Sequence, residues 1–179
     1  MNATYNPLHL VGSYGAFGSV TRERIEVIVE GTTDAEVSES TVWREWEFKA
    51  KPGDPRRRPP QWAPYHLRLD WLMWFLPLRG FGIDVWFLRF VEKLLAGDRA
   101  IRKLLRRDPF DGEPPRFVRA SLYEYRFATR SEQRETGEIW KRTRVGEYLP
   151  VVARRPERGG AKGRSGARDV GPLVPARSV

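Results

Sequence analysis

Two histidines, His9 and His66, and no cysteine leave few routes to nucleophilic or metal chemistry in this chain of 179 residues. His66 and Asp70 stand four residues apart, a spacing that puts both on one helix face and suits metal ligation or a base with its orienting carboxylate. Only two ligands of such a site can be named, so a structural histidine near a helix start is the favoured alternative. His9 with Ser13 or Ser19 lacks the strand-turn-helix motif of an activated serine. Gly12, Gly15 and Gly18 resemble a phosphate-cradling loop by spacing, but the segment that follows reads as a strand rather than a helix, which points to a tightly packed loop. No cofactor and no metal is expected from these residues.

The seven tryptophans offer a second kind of chemistry, because an indole pairs a flat apolar face with a polar N–H. Trp71, Met73, Trp74, Phe75, Leu76 and Leu78 make a run that is apolar nearly all round. Core packing is the first expectation for it, and an exposed patch facing a partner or a bilayer is the second. The Arg-rich, proline-rich stretch 52–60 reads as a rigid connector in preference to a polyproline ligand.

Periodicity shows which elements must hold these residues. Ile25, Val27 and Val29 alternate with Arg24, Glu26 and Glu30, as in a half-buried strand. Alternation resumes over Val42–Lys51, with Val42, Trp46, Phe48 and Ala50 on one face and Glu45, Glu47, Lys49 and Lys51 on the other, and the two runs are expected to pair antiparallel. Helical spacing follows: Leu67, Trp71, Trp74 and Leu78 on one face ending near Pro77, then Asp84 as N-cap of a helix with Phe87, Phe90, Val91, Leu94 and Leu95 inward and Gly97 at its stop. A third helix, capped by Asp98, is expected to turn Ile101, Leu104 and Leu105 inward. Two more strands, Arg116–Ala128 and Ile139–Leu149, flank a polar turn or short helix at 130–137. The fold class is therefore α+β, a small antiparallel β-sheet with a helical insertion between strands two and three.

Charge divides unevenly. The chain is +9 overall, with +5 in residues 153–179, a Gly-, Arg- and Pro-rich tail expected to be disordered, and +4 in residues 1–152, expected to form the one folded domain. The tail is read as a solvated end, with no specific nucleic-acid binding. Charged residues interrupt the best apolar stretch, Leu67–Val91, so the chain alone is expected to be soluble.

The segments Leu8-His9-Leu10-Val11, Tyr14-Gly15-Ala16-Phe17-Gly18-Ser19-Val20-Thr21-Arg22-Glu23-Arg24, Trp43-Arg44-Glu45-Trp46-Glu47-Phe48 and Pro64-Tyr65-His66-Leu67-Arg68-Leu69-Asp70-Trp71 together resemble the C-terminal domain of the lipase maturation factor family. Further matching blocks occur at Trp86-Phe87-Leu88, Asp108-Pro109-Phe110, Tyr123-Glu124-Tyr125-Arg126-Phe127 and Gly146-Glu147-Tyr148-Leu149-Pro150. The resemblance implies the non-catalytic part of a polytopic membrane protein, which in animals sits in the endoplasmic reticulum and assists the folding of secreted lipases. The membrane half is absent from this chain, and the partner it implies is a client protein such as a secreted lipase.

The motif positions it nominates as architectural or interface residues are Tyr14, Gly15, Phe17, Gly18, Arg22, Arg24, Trp43, Arg44, Glu45, Pro64, Tyr65, His66, Asp70, Trp71 and Trp74. Arg22 and Arg44 with Glu45 are expected to make a bidentate ion pair. Two alternatives of other classes are the soluble part of a membrane-associated enzyme using His66 and Asp70, and a membrane-surface module using Trp71–Leu78 and the basic helix at 99–107.

Overall fold

Strand β1, Arg24–Thr32, forms where the sequence alternates, and it pairs antiparallel with β3, Phe117–Phe127, over its whole length. The computed structural model describes residues 23–58, 60, 65–78, 82–154 and 174–175. Strand β2 is only Arg44–Glu45, β4 is Trp140–Ala153 and β5 is Val174–Pro175, giving an antiparallel sheet in the order β2-β1-β3-β4-β5. Three register irregularities between β3 and β4 bend the sheet. At the end of β4, Val152 and Ala153 pair with Pro175 and Val174.

The helices lie between β2 and β3, as expected: α1 at Arg68–Phe75 with a 3-10 turn at Leu76–Leu78, α2 at Val85–Leu95 and α3 at Arg99–Leu104. Helix α2 turns Phe87, Phe90, Val91, Leu94 and Leu95 onto Val27, Val29, Val118 and Ala120 of the sheet. Each such side chain, fully removed from water, contributes roughly 1.5–3 kcal/mol. Gly97, at φ +67°, lets the chain reverse after α2, with the Gly97 and Asp98 amides closing on Leu94 and Lys93 carbonyls. Asp98 then caps α3 by accepting from the Ala100 and Ile101 amides. Helix α4, Arg130–Thr136, carries a capping box of Thr129 with Glu132 and joins β3 to β4.

Several expectations need correction. Strand β1 is buried on both faces: Glu26 is fully buried and Glu30 nearly so, because the connector 52–57 folds back over the second face of the sheet. Pro55 accepts from the Ile139 and Trp140 amides, and Arg57 donates to the Phe48 and Lys49 carbonyls, which ties the connector down. The second run does not continue as a strand beyond Glu45. Val42, expected on its inner face, is 66% exposed, whereas Lys51, expected outside, is buried. Trp46 and Phe48 are buried as expected, and Gly31 makes room for the first, since a Cβ there would lie 2.5 Å from the indole. In α1 the buried side chains are Asp70 and Met73, followed by Leu76 in the 3-10 turn, and the face of Leu67, Trp71, Trp74 and Leu78 is the outer one. Asp84 holds the N-cap position of α2 without a side-chain cap bond. In α3, Leu105 is buried just past the helix end, but Leu104 is 47% exposed.

Candidate functional site

The edge of β1 not covered by β2 lacks a ladder partner, and the segment 46–51 supplies one by other means. The Trp46 amide donates to the Val29 carbonyl, and Lys51 Nζ donates to the Val27 carbonyl at 2.9 Å. The same ammonium lies 3.2 Å from Glu26 Oε2, while Arg24 Nε holds Oε1 at 2.9 Å. A fully buried carboxylate is thus neutralised from two sides. Asp70, projecting inward from α1, locks the arrangement: its Oδ1 accepts from the Ala50 amide at 2.6 Å and the Lys51 amide at 3.2 Å.

Above this polar floor opens a groove of about 260 Å³ lined by Arg24, Lys51, His66, Asp70, Trp71 and Trp74, with Ala50 and Leu67 at its sides. Its wall is an aromatic cluster. The His66 and Trp71 rings lie 5.1 Å apart, Trp71 and Trp74 5.3 Å, and both indoles meet Phe75 edge-on. Five nominated residues therefore converge: Arg24, His66, Asp70, Trp71 and Trp74. His66 and Asp70 share this groove, yet no hydrogen bond joins them. The Asp70 carboxylate faces the backbone of 50–51, and the imidazole is exposed against Trp71. No group of His, Cys, Asp or Glu suited to a metal ion occurs among the described residues.

Trp43, Arg44 and Glu45 stand elsewhere, at the β2 edge. The Arg119 guanidinium lies 4.1 Å over the Trp43 ring and pairs with Glu30. Arg44 donates to the Pro109 carbonyl and lies over the Phe110 ring. Of the ion pair expected of Arg22 and Arg44 with Glu45, Arg22 lies outside the described residues and Arg44 turns to Pro109; among the described residues Arg142, from β4, makes the bidentate contact with Glu45 at 2.6 and 2.8 Å. Burial opposes the charge on that guanidinium, but its bonds to Glu45 and Tyr125 outweigh the effect and hold its pKa above the usual range. A polar cavity of about 570 Å³ runs beside this pair, between Glu47, Asp54 and Arg107. Tyr65 is exposed and lines neither cavity. Tyr14, Gly15, Phe17, Gly18, Arg22 and Pro64 lie outside the described residues.

Lys51, Glu26 and Arg142 complete these two arrangements, and none of them is among the residues that the sequence motifs nominate. Glu26 carried a weak signal, an acid between β-branched neighbours of a strand. Lys51 and Arg142 carried none, since their partners lie 25 and 97 residues away.

Tyr125 gives the sheet face a pH response. Its hydroxyl donates to the Gly53 carbonyl at 2.8 Å, and burial pushes the phenol up to about 12 from the ordinary 10. The unfolded chain therefore ionises first. Stability is full below pH 10 and falls as pH rises through about 12, by about 2–3 kcal/mol. Thermal melts across this window are expected to show that slope in the native chain and a flatter one in Tyr125→Phe.

Residues 10–150 match the lipase maturation factor C-terminal domain. The chain is 48% identical over 162 residues to lipase maturation factor 1 of Bos taurus, covering 89% of this chain and 29% of that protein. It is 46% identical over 156 residues to lipase maturation factor 1 of Homo sapiens, covering 86% and 28%. With lipase maturation factor 2 of Homo sapiens it shares 39% over 152 residues, covering 82% and 20%. The chain thus spans less than a third of the length of these relatives. No solved structure matches it.

Proposed function

Because this chain belongs to the lipase maturation factor family, as its C-terminal domain, we propose that it is a non-catalytic maturation module that holds a client, a secreted lipase or another extracytoplasmic protein, while the client folds or assembles. The observation that carries this reading is the convergence of Arg24, His66, Asp70, Trp71 and Trp74 on one groove. Its aromatic wall offers area to apolar side chains that an incompletely folded client still exposes, and contact is lost once the client buries them. Its ionisable floor is occupied by structural work: Glu26, Lys51 and Asp70 hold one another and the backbone. The alternative of an enzyme built on His66 and Asp70 finds no support in this geometry, since the carboxylate orients the 50–51 backbone rather than the imidazole. In this proposal the domain works beside the membrane portion of the full-length protein, in animals at the endoplasmic reticulum membrane.

Affinity capture from the native host with the intact chain as bait tests the reading. Recovery of a secreted lipase is expected, and its loss with a Trp71→Ala, Trp74→Ala variant whose far-UV circular dichroism is unchanged. Equal recovery by both baits would remove the groove from the account, and a folded native bait that recovers no such hydrolase would remove the client.

A further inference from the structure

Helix α1 borders two more grooves, and both are apolar. One, of about 370 Å³, lies between α1 and α3 and is lined by Leu67, Leu69, Leu72 and Leu104, with Lys49 and Arg68 at its rim. The other, of about 200 Å³, is lined by Trp71, Leu72, Phe75 and Trp86, with Asp84 as its one charged residue. They share Leu72, so an apolar strip runs from α3 across α1 to the start of α2. Within α1 only Arg68 and Asp70 are charged, and Asp70 is buried, so the helix presents apolar side chains on its outer side as well as its inner one. Leu78, at the end of the 3-10 turn, is 53% exposed, and Val85, the first residue of α2, is 67% exposed.

The charge around the strip is predominantly positive. Residues 65–108 hold nine basic and five acidic side chains, an excess of four that equals the whole excess of residues 1–152. Of the five acids, Asp70 is held by backbone amides, Asp98 pairs with Lys93 and Asp108 with Arg102, while Asp84 lines the second groove and Glu92 lies on α2. Among the described residues Arg68, Arg89, Arg99 and Lys103 are exposed and carry no ion pair.

We propose that this strip seats on the surface of an anionic bilayer. Leu72, Leu78, Val85, Trp86 and Leu104 enter the boundary between headgroups and acyl chains, and Arg68, Arg99 and Lys103 meet lipid phosphates. Two observations favour lipid over a peptide. The exposed apolar residues are spread over α1, its 3-10 turn, the start of α2 and α3, a broad area in place of one deep cleft, and a fluid headgroup layer adapts to such a surface. The unpaired cations are numerous and of one sign, which suits a uniformly anionic interface and its indole-tolerant boundary. The strip shares Leu67, Asp70 and Trp71 with the groove assigned above to a client, but Leu78, Leu104, Arg99 and Lys103 do not line that groove, so variants at these four positions test the strip by itself.

The test uses the intact chain with vesicles of phosphatidylcholine, with and without phosphatidylserine, followed by flotation and by quenching of tryptophan with brominated acyl chains. Binding is expected only with phosphatidylserine, accompanied by quenching. Leu78→Asp with Leu104→Asp changes two exposed side chains and is expected to abolish the quenching and to weaken binding on the order of tenfold. Arg99→Gln with Lys103→Gln, exposed residues outside the core, is expected to weaken binding by a similar factor. No binding at low salt would overturn the proposal. So would binding without quenching that survives both variants, since the basic tail would then hold the chain by charge alone, and so would capture of an acidic helical peptide on the strip in place of vesicles.

Discussion

Asp70→Ala is expected to lower the stability of the chain by about 3–4 kcal/mol, a large share of the 5–15 kcal/mol typical of a domain. The carboxylate accepts two backbone amides, from Ala50 and Lys51, and it is 5% exposed. Removing it leaves two donors in a partly dry site, and hydrogen bonds to a charged acceptor are the stronger kind. Asp70→Asn keeps an acceptor oxygen and is expected to lose less than half as much. Urea unfolding of the three proteins reads the order directly. A change below about 1 kcal/mol for Asp70→Ala would mean that water satisfies the 50–51 amides and that Asp70 does not fix the groove floor.

Lys51→Met is the second large effect. The ammonium is buried, bonds the Val27 carbonyl and stands 3.2 Å from Glu26 Oε2, which has no hydrogen bond of its own. Without it, Glu26 keeps only Arg24, whose side chain is partly in solvent. Breaking a buried pair from one side costs about 3–5 kcal/mol, because an uncompensated charge remains. Combining Lys51→Met with Glu26→Gln removes that charge, so the double variant is expected to be more stable than Lys51→Met alone by about 1–2 kcal/mol. If the two substitutions add simply, the pair is not coupled.

What could be read from the chain depended on how local the determining physics is. Strands β1, β3 and β4 and helix α2 announce themselves by periodicity, and Gly97 and Asp98 mark their turn and cap through backbone geometry that neighbouring residues alone dictate. The inward phase of α1 was not readable. A helix apolar on nearly every side has no preferred face, and here the choice is made by Asp70 reaching the 50–51 backbone. The family motif brought Arg24 and Trp71 to attention as residues of interest, but their meeting depends on the return of α1 to the edge of β1. The connector 52–57 reads as an exit from the sheet because prolines exclude ladder bonds. Its carbonyls nonetheless accept from Ile139, Trp140 and Tyr125, donors more than seventy residues away. The Arg142–Glu45 pair is of the same kind, formed only once the sheet exists.

In the proposed role the groove at Trp71 and Trp74 holds an incompletely folded lipase. Refolding a lipase of the native host by dilution from denaturant, with the intact chain present at equal concentration, tests it most directly. A higher yield of active lipase is expected with the native chain than with its folded Trp71→Ala, Trp74→Ala variant. Equal yields with the two chains would contradict it.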